Sequence, residues 1–136
     1  HLSLRRQRQM CIRDSPIAQG SIDPTFHRDD LERIGTRLAQ TTTLPCNLED
    51  RQVLLVDDVI FTGRTVRAAM EALHGWGRAQ RVMLLVMVDR GHRELPIQPD
   101  FCGRTVPSRR SETIELRLRD VDGEEGVFLK RSIPLT

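Results

Sequence analysis

The chain has 136 residues, a formal net charge of +2 and three cysteines, which bounds it to one small domain able to bury a modest core. No apolar stretch approaches a membrane span and no charged-then-apolar secretory signal occurs, so a cytoplasmic protein without a membrane partner is expected. Cys11, Cys46 and Cys102 are odd in number and lack the paired spacing of a zinc site or a disulfide framework, so they read as free thiols.

Residues 1–15 show no apolar periodicity and are crowded with Arg and Gln. They read as a non-native, vector-like segment, with a disordered basic arm as the alternative. Residues 53–56 are a continuous apolar run rich in β-branched side chains, the pattern of a central strand buried on both faces of a parallel sheet. Val66, Ala69, Met70 and Leu73 then recur at helical spacing while Arg67, Glu71 and His74 point elsewhere, which predicts an amphipathic helix. Residues 82–88 are a second buried-strand run, ending at Asp89 and Arg90. Ile114, Leu116 and Leu118 alternate with Glu115, Arg117 and Arg119, and Asp122 and Gly123 can turn the chain before residues 126–130 return. A closing hairpin is expected there. The fold class is α/β.

In open α/β sheets ligands sit beyond the carboxyl ends of the strands, and a helix N-terminus offers unpaired N–H groups and a favourable dipole to an anion. Thr62, Gly63, Arg64 and Thr65 occupy that position. Gly63 lets the backbone approach closely, the two threonines add hydroxyls and Arg64 adds charge, so the turn suits a phosphate. Asp57 and Asp58, at the strand end, can accept from the paired hydroxyls of a ribose or approach Mg²⁺. Taken singly, an Asp-Asp pair or a Thr-Gly turn is more often a solvated strand end or a helix cap. Their joint occurrence between a strand and a helix favours a ribose 5-phosphate site.

The segment VLLVDDVIFTGRT resembles the phosphoribosyl pyrophosphate motif of type I phosphoribosyltransferases. VDDVIFTGRTVRAAMEAL, VDRGHRELPI, PDFCGRTVPSRRSE and DVDGEEGVFL together resemble the PyrR family of bifunctional pyrimidine operon regulators and uracil phosphoribosyltransferases, over roughly residues 22–129. The resemblance implies a type I phosphoribosyltransferase fold, a mostly parallel sheet flanked by helices with a C-terminal hood and hairpin. It implies conversion of uracil and phosphoribosyl pyrophosphate to UMP and pyrophosphate with Mg²⁺, in a protein expected to be a homo-oligomer. Asp57 and Asp58 would hold the ribose hydroxyls and act in catalysis, and Thr62, Gly63, Arg64 and Thr65 would hold the 5′-phosphate. Asp89 and Arg90 lie at the same sheet edge, within reach of pyrophosphate or its metal, or else fix the following turn.

Purine-salvage relatives commonly carry an aspartate where this chain has Phe61, and an aromatic there cannot pair with a purine N7. Phe61 is therefore assigned to pyrimidine binding, packing of the loop being the other reading. Residues 107–112 resemble the hood that covers the base, with backbone near Arg110 and Ser111 as the expected uracil contacts. Lys130 is the only lysine, and the arginines at 90, 93, 104, 109 and 110 with His92 form the best basic surface, a solvated face being the plain alternative. By resemblance, His92, Arg93 and Arg104 would bind a messenger RNA leader. With no tyrosine in the chain, that binding would rest on phosphates, arginine planes and RNA shape.

Family members begin with a helix, a strand and a pyrophosphate loop ahead of the hairpin matched here by residues 22–30. None of these precedes that hairpin in this sequence, so residues 16–136 read as a partial phosphoribosyltransferase domain. Arg28 and Asp29 are assigned to stabilising pyrophosphate departure, and residues 28–45 to a mobile loop that closes over the site. Two alternatives stand beside the enzyme and its UMP-responsive RNA regulation: a non-catalytic RNA-binding attenuator, and a purine phosphoribosyltransferase.

Overall fold

In the computed structural model, residues 17–23, 44 and 46–131 are described. Residues 1–15, Cys11 among them, Arg28, Asp29 and nearly all of the expected closing loop lie outside them. The described chain runs β1 (Gln52–Ile60), α1 (Arg64–His74), β2 (Arg81–Asp89), β3 (Phe101–Thr105), β4 (Glu112–Arg117), α2 (Arg119–Asp122) and β5 (Gly126–Arg131). No described helix is long and apolar enough to cross a membrane.

β1, β2 and β3 form a parallel sheet in that order, and β4 and β5 a separate antiparallel pair. Among the described residues β2 is therefore central and β1 lies at an edge, whereas the apolar run at 53–56 predicts a central β1. The register sets Leu55 beside Leu84 and Asp57 beside Val86. On that face Leu55, Leu84 and Val86 pack with Val66, Ala69 and Leu73 of α1 and with Ile22, Leu48 and Ile60 to make the core. The opposite face carries Leu54, Val56, Met87 and Phe101, which stay 44–53 % exposed among the described residues. An apolar run thus marked the strand correctly but not its two-sided burial, because side chains alternate and only one face meets α1.

α1 buries Val66, Ala68, Ala69 and Leu73, while Met70 is 38 % exposed. Ala68 is thus buried where the periodicity favoured Met70. Arg67 and Glu71 pair at 2.7 Å one turn apart on its outer side. β3 was not legible as a strand, being short, exposed and interrupted by Gly103. A Cβ at Gly103 would sit 2.7 Å from the Met87 carbonyl oxygen, so the glycine is what permits β3 to approach β2. The C-terminal hairpin forms as expected, with Ile114 opposite Leu129 and Leu116 opposite Val127. Its turn is the four-residue α2 closed by Gly123 at φ 75°.

Candidate active site

β1 continues through both aspartates to Ile60, so the pair sits inside the last turns of the strand and not beyond it. Strict alternation would send the two carboxylates to opposite faces, but each folds forward onto the next backbone N–H. Asp58 N–H donates to Asp57 Oδ1 and Val59 N–H to Asp58 Oδ1, both at 2.8 Å. Asp57 is buried. That burial, then the hydrogen bond and charge of Asp58, push the Asp57 carboxyl up to about 7. A group poised there changes its charge near neutrality.

The turn after β1 has the geometry of an anion cradle. Gly63 stands at the N-cap of α1 with φ 91°, and no side chain caps the helix or places an acid in its first turn. Thr62 Oγ1 accepts from Arg64 N–H at 3.3 Å, and Arg67 N–H closes the first helical bond on the Gly63 carbonyl at 3.0 Å. With no acid in the first turn, the helix dipole at this end favours an external anion.

The segment after β2 braces this turn. Glu94 and Leu95 N–H groups both donate to the Thr62 carbonyl, at 2.9 and 3.3 Å. Arg93 donates to the carbonyls of Phe61 and Ile97 and to the Asp89 carboxylate at 2.7–2.8 Å. Asp89 also accepts from Gly91 N–H at 3.0 Å. Burial opposes the Asp89 charge, but the Arg93 and Gly91 hydrogen bonds outweigh it and hold the carboxyl below the usual range.

Residues 107–112 hang on the same edge. Arg90 is buried and stacks its guanidinium over Phe61, 4.1 Å from the ring centroid. It donates to Ser108 Oγ at 3.0 Å and to the carbonyls of Arg109 and Glu112 at 2.8 and 2.6 Å. His92 meets the Phe61 ring edge-on at 5.6 Å, and its Nε2–H donates to the Ser108 carbonyl. Arg110 lies 5.9 Å from the Phe61 centroid and is exposed, as is Ser111.

The structure therefore brings together Asp57, Asp58, Phe61, Thr62, Gly63, Arg64, Thr65, Asp89, Arg90, His92, Arg93 and Arg110 at one sheet edge. It also redistributes them. Arg90 is turned into residues 108–112, and His92 and Arg93 are engaged internally instead of forming an open basic face. Arg104 stands exposed on β3, opposite Val88. Glu94, 3.5 Å from Arg64 and 3.7 Å from Arg110, links the turn at 62–65 to residues 107–112. Neither it nor Ser108 was singled out by sequence, since no spacing rule marks a residue that joins two loops.

Among the described residues no three His, Cys, Asp or Glu side chains gather into a metal cage. The arrangement suits a phosphorylated sugar: a diol acceptor pair, an anion-binding helix start and a backbone-rich segment across from them.

The phosphoribosyl transferase domain model matches residues 21–112. The bifunctional protein PyrR of Thermosynechococcus vestitus is 51 % identical over 110 residues, covering 81 % of this chain and 60 % of that protein. The PyrR of Microcystis aeruginosa is 52 % identical over 113 residues, 83 % of this chain and 64 % of that one. The PyrR of Leifsonia xyli is 48 % identical over 128 residues, 94 % of this chain and 70 % of that one. The chain thus spans about 60–70 % of the length of these relatives. Among solved structures, the hypoxanthine phosphoribosyltransferase of Trypanosoma cruzi in complex with IMP has a similar fold. It aligns with a TM-score of 0.53 at 19 % identity, over 67 % of this chain and 50 % of that one. The Staphylococcus aureus hypoxanthine phosphoribosyltransferase gives 0.50 at 19 % identity, over 68 % and 52 %. The α/β fold and these matches lead to one assignment: the chain belongs to the phosphoribosyltransferase family, among the relatives of PyrR.

Proposed function

We propose that this chain is the phosphoribosyl-binding part of a uracil phosphoribosyltransferase that forms UMP and pyrophosphate, and that UMP occupancy of the same pocket regulates RNA binding to pyrimidine biosynthesis messages. The carrying observation is the junction of the Asp57 and Asp58 pair with the uncapped start of α1 at Gly63, in a chain about half identical to PyrR proteins.

In this reading the C1′–oxygen bond to pyrophosphate breaks as the bond from C1′ to uracil N1 forms, and the N1 proton is lost. Asp57 and Asp58 accept from the 2′- and 3′-hydroxyls. Thr62, Gly63, Arg64 and Thr65 hold the 5′-phosphate, and no covalent nucleophile is needed. Two carboxylates without a cage suit an ion that arrives with its phosphates, so Asp57 and Asp58 would approach Mg²⁺ bound to the substrate. The ion would neutralise charge on the leaving pyrophosphate. Residues 107–112 cover the base, their backbone groups supplying the contacts of uracil near Arg110 and Ser111. Asp89 lies on the pyrophosphate side, where Arg28 and Asp29 would join it. For RNA, Arg104 and the exposed Arg109 and Arg110 offer phosphate contacts. His92 and Arg93 would act by shaping the adjoining loop. A cytoplasmic homo-oligomer completes the reading.

The test is pyrophosphate release from phosphoribosyl pyrophosphate and Mg²⁺ with uracil, run beside hypoxanthine and beside an Asp57→Asn, Asp58→Asn variant. Uracil-dependent release lost in the variant supports the enzyme. Release with hypoxanthine instead would establish the purine reading. A folded chain that binds RNA in a salt-sensitive way but turns over neither base would be the non-catalytic attenuator.

A further inference from the structure

We propose that Arg90 and Phe61 form a positioning pair that fixes residues 107–112 over the base, so that Phe61 governs base binding through Arg90 and not by stacking on the base itself. The inference rests on the reading of residues 107–112 as the base cover.

Phe61 directly follows β1 and Arg90 directly follows β2, and Arg90 N–H donates to the carbonyl of Ile60 at 3.2 Å. The two strand ends that carry the sugar-phosphate residues thus also carry the pair. The Arg90 guanidinium lies 4.1 Å from the Phe61 centroid, and a flat guanidinium on a ring face gains cation–π attraction while its edge stays open to acceptors. Its side-chain acceptors all lie in residues 108–112: Ser108 Oγ, the Arg109 carbonyl and the Glu112 carbonyl. Ser108 Oγ–H in turn donates to the Arg90 carbonyl at 3.1 Å.

The segment held in this way is itself closed. Glu112 N–H donates to the Arg109 carbonyl at 3.0 Å, and Arg109 N–H donates to the Glu112 carboxylate at 2.8 Å. Arg90 makes three of the segment's side-chain bonds to the end of β2, with the His92 contact to the Ser108 carbonyl beside them. Burial disfavours the Arg90 charge and Glu112 supports it, so the guanidinium depends on this set of acceptors to remain inside. Phe61 is occupied by Arg90 at 4.1 Å, by Arg110 at 5.9 Å and by the His92 edge. Its ring serves the loop. A lysine at 90 has neither the fork nor the flat face, and an aliphatic residue at 61 would let the guanidinium tilt.

The test has two arms on the purified chain. In the first, amide hydrogen exchange is followed in the free protein for Arg90→Lys, Phe61→Leu, Phe61→Tyr and Ser108→Ala. Faster exchange in residues 107–112 with Gln52–Ile60 unchanged is expected for Arg90→Lys and Phe61→Leu, a smaller increase for Ser108→Ala, and none for Phe61→Tyr. In the second, binding of UMP and of ribose 5-phosphate is measured by calorimetry. Loss of the anchor weakens UMP by about tenfold and leaves ribose 5-phosphate within about twofold. The double variant Arg90→Lys, Phe61→Leu is no worse than the weaker single one, because both act through one contact. Equal losses for the two ligands, additive losses, or unchanged exchange at 107–112 overturn the pair. If the unaltered chain binds neither ligand while exchange at 107–112 responds as expected, the anchor stands and the phosphoribosyl reading fails.

Discussion

Arg93 and Asp89 meet at 2.7 Å with both side chains largely buried, and the same guanidinium holds the carbonyls of Phe61 and Ile97. One side chain thereby ties the end of β2 to the phosphate turn after β1. Removing it takes from the buried Asp89 carboxylate its cation, leaving the Gly91 N–H, and takes a donor from two carbonyls.

Arg93→Ala is therefore expected to cost about 3 kcal/mol of stability, read by denaturant unfolding. The sign of its pH dependence follows from Asp89, whose pKa is lowered in the fold. Such a group contributes stability above its unfolded pKa and loses it as pH falls through the folded value. The deficit of the variant is largest at neutral pH and shrinks in acid. A deficit that grows as pH falls would show that the pair is not what Arg93 contributes.

Gly63 and Gly91 offer a matched comparison. Both have positive φ, 91° and 78°, but a Cβ on Gly63 would lie 3.4 Å from Arg93 Cδ and 3.5 Å from Ile97 Cβ, while one on Gly91 meets nothing within 4 Å. Gly91→Ala isolates backbone strain, at about 1 kcal/mol. Gly63→Ala brings the same strain to the N-cap of α1, with its Cβ in ordinary contact with the brace. It is expected to cost a similar amount of stability and to weaken ribose 5-phosphate binding, whereas Gly91→Ala leaves that binding nearer its original strength. Equal effects of the two on phosphate affinity would argue against the cradle.

Asp57 sets stability against binding. Its pKa is raised to about 7, so the stability linked to its protonated form is present below the unfolded value near 4 and is lost as pH rises through the folded value. Asp57→Asn removes that loss. The variant is expected to gain roughly 1–3 kcal/mol at pH 8 and less at pH 5, in thermal or denaturant unfolding. Ribose 5-phosphate affinity moves the other way: in the unaltered chain it rises with pH through about 7, and in the variant it is weaker and keeps only the dependence of the ligand's own phosphate, whose second ionisation is at about 6.

The sequence was most informative where one residue type serves one local purpose. The apolar stripe of Val66, Ala69 and Leu73 placed α1, and the order Asp57, Asp58, Thr62, Gly63 placed the end of β1 and the turn into the helix, because a strand, a turn glycine and a helix start each carry their own periodicity or conformational demand. β3 carried no such mark, since Gly103 is required by its approach to the Met87 carbonyl and that approach is a tertiary fact. The arginines were the least legible. Arg90 and Arg104 look alike in the chain, yet one is buried among three acceptors and the other is exposed on an outer strand. Nothing local distinguishes an arginine that solvates a surface from one that suspends a loop. The same holds for Phe61, whose chemistry excluded a polar contact but could not reveal the guanidinium lying on it.

Glu94 is the remaining link between the two halves of the edge. Its carboxylate lies 3.5 Å from Arg64 Nε and 3.7 Å from Arg110 Nη1, with all three side chains partly exposed. Exposed pairs of this length contribute little to folding, so Glu94→Gln should change stability by less than about 0.5 kcal/mol. Its effect on an anion is larger in proportion, because Arg64 sits in the phosphate turn and Glu94 competes with any phosphate for its charge. Neutralising Glu94 is expected to tighten ribose 5-phosphate binding by about two- to threefold at low salt, the gain fading as salt screens the exposed charges. Calorimetric titration across a salt series reads this directly. Weaker binding in Glu94→Gln would mean that the carboxylate holds Arg64 in its working orientation, so that Glu94 organises the phosphate turn instead of competing with its ligand.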